Sequence, residues 1–164
     1  VSDKNDLVKK VLSLILKEDV DCFSAIADKK ENAIDQVAEL YKESIARIGN
    51  IHPSVHFDLE KYYPEAFSLI NDHKYETMYD LVKQNLELGI TQGVYRKNIN
   101  VDIITKLYVA KMDMIFDGQV FPVNQYQFGE VFKELFRYHI RGIASDKGRE
   151  YLKEKFNQGE FTLY

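Results

Sequence analysis

Asn100-Val-Asp-Ile-Ile-Thr-Lys-Leu-Tyr-Val-Ala-Lys-Met-Asp-Met-Ile-Phe-Asp-Gly118 is the stretch that decides the fold. Asn100 has a side-chain oxygen suited to capping a helix N-terminus, and Gly118 tolerates the left-handed backbone that closes one. Between them Ile103, Ile104, Leu107, Tyr108, Met114 and Ile115 fall on one side of a helix. Val101, Val109, Met112 and Phe116 fall on another. The two-residue alternation of a half-buried strand is absent. A helix that is apolar on two sides must be covered on both.

Tyr126–Ala144 repeats the pattern, with Phe128, Val131, Phe132, Leu135, Phe136, Ile140 and Ile143. Two such helices near the end of a 164-residue chain are hard to enclose internally. One face of each is expected to pack on its own domain and the other on a second copy. The residues expected at that homodimer interface are Leu107, Met112, Ile115, Phe116, Phe128, Phe132, Leu135 and Phe136. A pair of helices from each copy would form a four-helix seam closed by a two-fold axis. The alternative is that both are central helices of a monomer.

Working outward, a first helix is expected over Ser2–Asp28, with Val8, Leu12, Ile15, Cys22 and Ile26 on one stripe. Ser2 or Asp3 would cap it. A second starts near Glu31 and carries Ile34, Val37, Tyr41, Ile45 and Ile48 at helical spacing, stopped by Gly49-Asn50. Pro53 and Pro64 each suit a first helical turn, where the missing N–H costs nothing. They predict a short helix to Tyr62 and a long one from Pro64 to about Gln92. After the connector Val94–Ile99 and the two helices above, Ser145-Asp-Lys caps a last piece, Gly148–Asn157. The expected fold is a single all-α domain over 1–164, a bundle of about seven helices.

Composition narrows the function classes. With 22 basic and 26 acidic residues the net charge is −4, which is not a nucleic-acid surface. One cysteine, Cys22, rules out an internal disulfide framework and suits a reducing cytoplasm. No apolar run approaches the roughly 20 residues of a membrane span, so no membrane partner is expected.

Signals for catalysis are poor. Phosphate-binding loops, dinucleotide glycine fingerprints, nucleophile elbows and zinc His pairs are all missing. Cys22, on an apolar stripe, reads as a structural thiol. His52 and His56 have a spacing that can chelate a metal on a helix, but Pro53 puts His52 at the cap, so the rings need not converge. No metal, cofactor or catalytic residue is assigned.

What remains is rich in aromatics. Tyr41, His56, Phe57, Tyr63, Phe67, Tyr75, Met78 and Met112 gather at helix starts and on expected inward faces. Apolar bulk with a few hydroxyl and imidazole tips is the lining of a cavity for a small, largely apolar ligand.

Three segments together resemble the TetR family of transcriptional regulators. Val1-Ser-Asp-Lys-Asn-Asp-Leu-Val8 is similar to the junction that follows the DNA-binding helix-turn-helix, matching at Val1, Lys4, Asp6 and Leu7. His52-Pro-Ser-Val-His-Phe-Asp-Leu-Glu-Lys-Tyr-Tyr-Pro-Glu-Ala66 resembles the middle of the effector domain in one branch. Gly89-Ile-Thr-Gln-Gly-Val-Tyr-Arg96 is similar to a recurrent glycine, glycine, aromatic, Arg turn, and Ile140–Gly148 fits the ending. The resemblance implies a C-terminal regulatory domain that pairs through its last two long helices and binds a small effector between helices. It also implies a DNA-binding domain upstream of Val1, through which alone operator DNA would be contacted. Two other readings stay open: an all-helical hydrophobic-ligand carrier or enzyme with no DNA role, and a helical scaffold without a cavity.

Overall fold

The computed structural model describes residues 3–29, 31–48, 52 and 54–157. Among them the chain forms seven helical rods and no strand, the all-α bundle expected. Helix α1 is Lys4–Ala27, α2 Ala33–Ile48 and α3 Ser54–Tyr62. A fourth rod joins α4 (Pro64–His73), a π turn (Lys74–Met78) and α5 (Tyr79–Thr91). Then follow α6 (Val101–Phe116), α7 (Phe128–Ile143) and α8 (Asp146–Asn157). No described helix is long and apolar enough to cross a membrane. The expected stop at Gly49-Asn50, the turn at Pro53 and the tail Gln158–Tyr164 lie outside the described residues.

The caps follow side-chain chemistry. Asp3 accepts the Asp6 N–H at 2.9 Å, and Asn100 accepts the Ile103 N–H at 3.1 Å. Ser145 Oγ accepts the Gly148 N–H at 3.1 Å while donating to the Gly93 carbonyl at 2.6 Å. That residue thus starts α8 and ties it to the end of α5.

The core is built on α2, α5, α6 and α7. Ile34, Leu86, Tyr108, Phe132, Phe136 and Ile140 are all buried there, and Leu152 of α8 joins them. Helix α1 departs from expectation at Ile15. Its buried residues are Phe23 and Ile26, whereas Leu7, Val11, Leu14 and Ile15 face outward. Of the expected stripe, Ile26 is buried and Val8, Leu12 and Cys22 are half-buried, Ile15 faces out, and Leu16, Asp19 and Phe23 complete the inward row. A helix apolar on two sides gives no phase until its neighbour is placed, and α1 packs chiefly on α4.

The glycine-rich turn welds the ends of α5 and α7. Gly93 takes a φ of +76°, open to glycine and strained for other residues. Tyr95 then folds its ring back over Gly89, and its hydroxyl donates to the Ala33 carbonyl at 3.2 Å and Asn85 Oδ1 at 3.0 Å. The next residue's N–H bonds to the Ile143 carbonyl at 2.8 Å, and the Arg96 guanidinium bonds to the Gly142 carbonyl.

Candidate functional site

Two features on opposite sides of α6 stand out. The first lies between α3, the α4 rod and α6. His56 leaves α3 and inserts its ring between Phe67 and Phe116, edge-on to the former at 5.0 Å and stacked on the latter at 4.7 Å and 10°. Burial holds the His56 imidazole below its ordinary pKa, opposed by the charges of Asp113 and Glu60 and assisted by that of Lys74. The ring row continues inward from Phe116 to Phe128, Phe132, and the pair Tyr41 and Phe136. It ends on Tyr108 and His139.

Beside the slot is an ion pair. Lys74 Nζ donates to both Asp113 carboxylate oxygens, at 2.5 and 2.7 Å, and reaches Asn71 Oδ1 at 3.3 Å. The Lys74 ammonium also lies 4.4 Å from the Tyr75 ring centroid. The pair is lopsided: the Lys74 side chain is 7% exposed and that of Asp113 51%.

The second feature is an apolar groove of about 510 Å³ on the outer face of α6 and α7. Met114, Val131, Leu135, Phe121 and Tyr126 line it, with Tyr138 at its rim, 72% exposed. Lys111 marks one wall, Glu130 and Glu134 the other. A separate polar hollow of about 380 Å³ lies between α1 and the π turn with α5, lined by Ser24, Asp28, Glu76, Thr77 and Asp80 among others.

Of the residues expected to line a ligand cavity, His56 and Phe67 meet in the slot and Tyr41 sits farther along the ring row. Met112 packs partly buried against the core. Phe57 and Tyr75 are corrections. They are 57% and 55% exposed: Phe57 is one residue past the inward His56, and the Tyr75 ring lies at the surface beside the Lys74 ammonium. Tyr63 lies under the Lys4 ammonium at 5.8 Å, and Met78 is partly buried at the end of the π turn. None of the eight lines the groove or the polar hollow.

The residues expected at the association face divide between the two sides of α6 and α7. Phe132 and Phe136 are buried within one chain and form no free surface, whereas Ile115, though buried, lines the groove. Phe116 and Phe128 belong to the ring row, and Met112 also turns inward. Leu107 is exposed, and Leu135, partly buried against the core, lines the groove. The outward row on α7 is Val131, Leu135 and Tyr138; Phe132, Phe136, Ile140 and Ile143 form the inward one.

His52 and His56 do not converge. His52 Nδ1 accepts the Ser54 N–H at 3.2 Å and so caps α3, while His56 enters the slot. Among the described residues no group of three or more His, Cys, Asp or Glu is placed to hold a metal. Sequence reasoning missed Lys74 and Asp113, since isolated charges on helices ordinarily mark solvated faces. The available signal was spacing: Phe67, Asn71 and Lys74 share one face, as do Asp113 and Phe116.

Comparison of the chain with protein-family models, with curated proteins and with solved structures finds no match.

Proposed function

We propose that this chain is the effector-sensing and homodimerising domain of a transcriptional regulator resembling the TetR family, a repressor with its helix-turn-helix upstream of Val1. One observation carries the reading: α6 and α7 turn a second apolar face outward after completing the core. Its charges suit pairing with a second copy. Lys111 on one wall and Glu130 and Glu134 on the other allow a two-fold copy to set opposite charges against each other around Met114, Val131 and Leu135.

In this reading the effector binds on the inner side of α6, and its occupancy biases the packing of α6 against the α4 rod. Helix α1 carries the bias toward the DNA-reading heads, whose separation must match half-sites about 34–36 Å apart. The effect is a coupling between two sites. Sedimentation equilibrium tests the pairing. The unaltered chain is expected at twice its mass, and Met114→Glu with Leu135→Glu at the mass of one chain with an unchanged circular dichroism spectrum. A monomeric unaltered chain at tens of micromolar refutes the reading. So does a double variant that still pairs.

A further inference from the structure

The ring slot and the ion pair lie between the same two helix faces. Phe67, Asn71 and Lys74, four and three residues apart, form one face of the α4 rod. Asp113 and Phe116, three apart, form one face of α6. Together they make an elongated surface with a flat apolar end at Phe67 and Phe116 and a charged end at Lys74.

We propose that this surface binds a planar aromatic acid, whose ring takes the place of the His56 imidazole between Phe67 and Phe116 and whose carboxylate takes the place of Asp113 on Lys74. The proposal rests on the regulator reading and names the chemical class of its effector.

Three observations argue for it. First, His56 is itself a flat ring seated in the slot, stacked face to face on Phe116 within 10°. It shows the shape the slot accepts. Helix α3, which carries it, has no buried residue and packs on α4, so withdrawing it uncovers little core.

Second, the ion pair selects for an acid. A buried ammonium needs an anion beside it, and removing that anion without replacement is strongly unfavourable. Asp113 is half exposed, so its carboxylate can turn into water, whereas Lys74 is enclosed. An arriving carboxylate therefore exchanges with Asp113 and keeps the interior neutral. A cation would have to expel Lys74 from the interior. A neutral ring would gain stacking alone. Asn71 Oδ1 remains as a second acceptor holding the ammonium in place.

Third, Lys74 opens the π turn Lys74–Met78, and such turns recur at functional sites. Once Asp113 is released, α6 loses its tie to the rod at that point. Occupancy thereby reaches the helix that forms one wall of the outer groove.

The test is isothermal titration of the 164-residue chain with 2-naphthoate and with its neutral counterpart 2-naphthamide. The naphthoate is expected to bind at least tenfold more tightly. His56→Ala, which empties the slot, should tighten both ligands severalfold. Lys74→Met should erase the preference for the acid. Should Lys74→Met not fold, proton NMR of the unaltered chain decides: saturating naphthoate is expected to move the His56 ring resonances toward their solvent-exposed positions. Equal affinities for acid and amide, no naphthoate binding by either the unaltered chain or His56→Ala, or an unmoved His56 resonance each overturn the proposal. A chain that sediments as a dimer without the acid preference overturns the ligand class and leaves the pairing intact. A monomer that shows the preference keeps the site and overturns the regulator reading.

Discussion

Replacing Gly89 by alanine is a one-methyl change with a large expected effect. A Cβ at this position would lie 2.0, 2.3 and 2.6 Å from Cδ2, Cε2 and Cγ of Tyr95. These are ring atoms of a side chain only 1% exposed and anchored at its far end by two hydrogen bonds. A flexible tip could give way, but this ring must leave its seat. Displacing a buried aromatic side chain costs about 3–5 kcal/mol, and alanine returns about 1 kcal/mol through its higher helix propensity. The net loss is about 2–4 kcal/mol, a sizeable share of the roughly 5–15 kcal/mol that holds a domain folded. Each kcal/mol moves the midpoint of a domain this size by about 2–4 °C, so Tm should fall by roughly 5–15 °C. Urea unfolding followed by circular dichroism measures the same loss isothermally. Gly142→Ala is the matched control, because its added methyl meets nothing within 4 Å. It should leave stability unchanged or raise it by up to about 1 kcal/mol. A Gly89→Ala midpoint equal to that of the unaltered chain would refute the account of the turn.

The remaining expectations concern pH and capping. Burial, with help from the Lys111 charge, lowers His139 to about 4 in the folded state, against about 6.5 unfolded. The unfolded chain therefore takes up the proton first, so stability is full above about pH 6.5 and declines as pH falls toward 4. The loss tends to about 3 kcal/mol, and His139→Phe should flatten that part of a urea-midpoint against pH curve. Asn100→Ala removes the cap of α6 and should cost about 1 kcal/mol in the same assay, while Asn100→Asp should cost little.

Seven rods, their order and most of their ends were legible because caps, prolines and glycines act locally. Asn100, Ser145 and Gly93 sit where their chemistry requires. The facing of the apolar rows was not legible. On α7, Phe128, Phe132, Phe136 and Ile140 recur every four residues, and Val131, Leu135 and Tyr138 form a second row one step over. Both rows are apolar, and nothing local distinguishes the one that meets α2 from the one that faces out. Lys74 escaped for a related reason. Its burial is set by Asp113, 39 residues away in the chain, and no periodicity carries that information.

The π turn also bears on how the rod tolerates changes in length. Bonds running i to i+5 place residues five apart about one turn apart, so Lys74 and Tyr79 both reach α6. Lys74 meets Asp113 there, and Tyr79 meets Asp102 at 2.5 Å. In an uninterrupted α-helix the same spacing would turn Tyr79 well away from Lys74. The turn therefore absorbs one surplus residue without rotating α5 about its axis. Loss of a single codon within Glu76–Thr77 would restore an ordinary helix and leave Leu86 and Gly89 aimed as they are. The same loss elsewhere in the rod would swing its second half by about 100° and pull Gly89 out from under Tyr95. The rod thus has one length-neutral position, next to the lysine on which the proposed ligand depends.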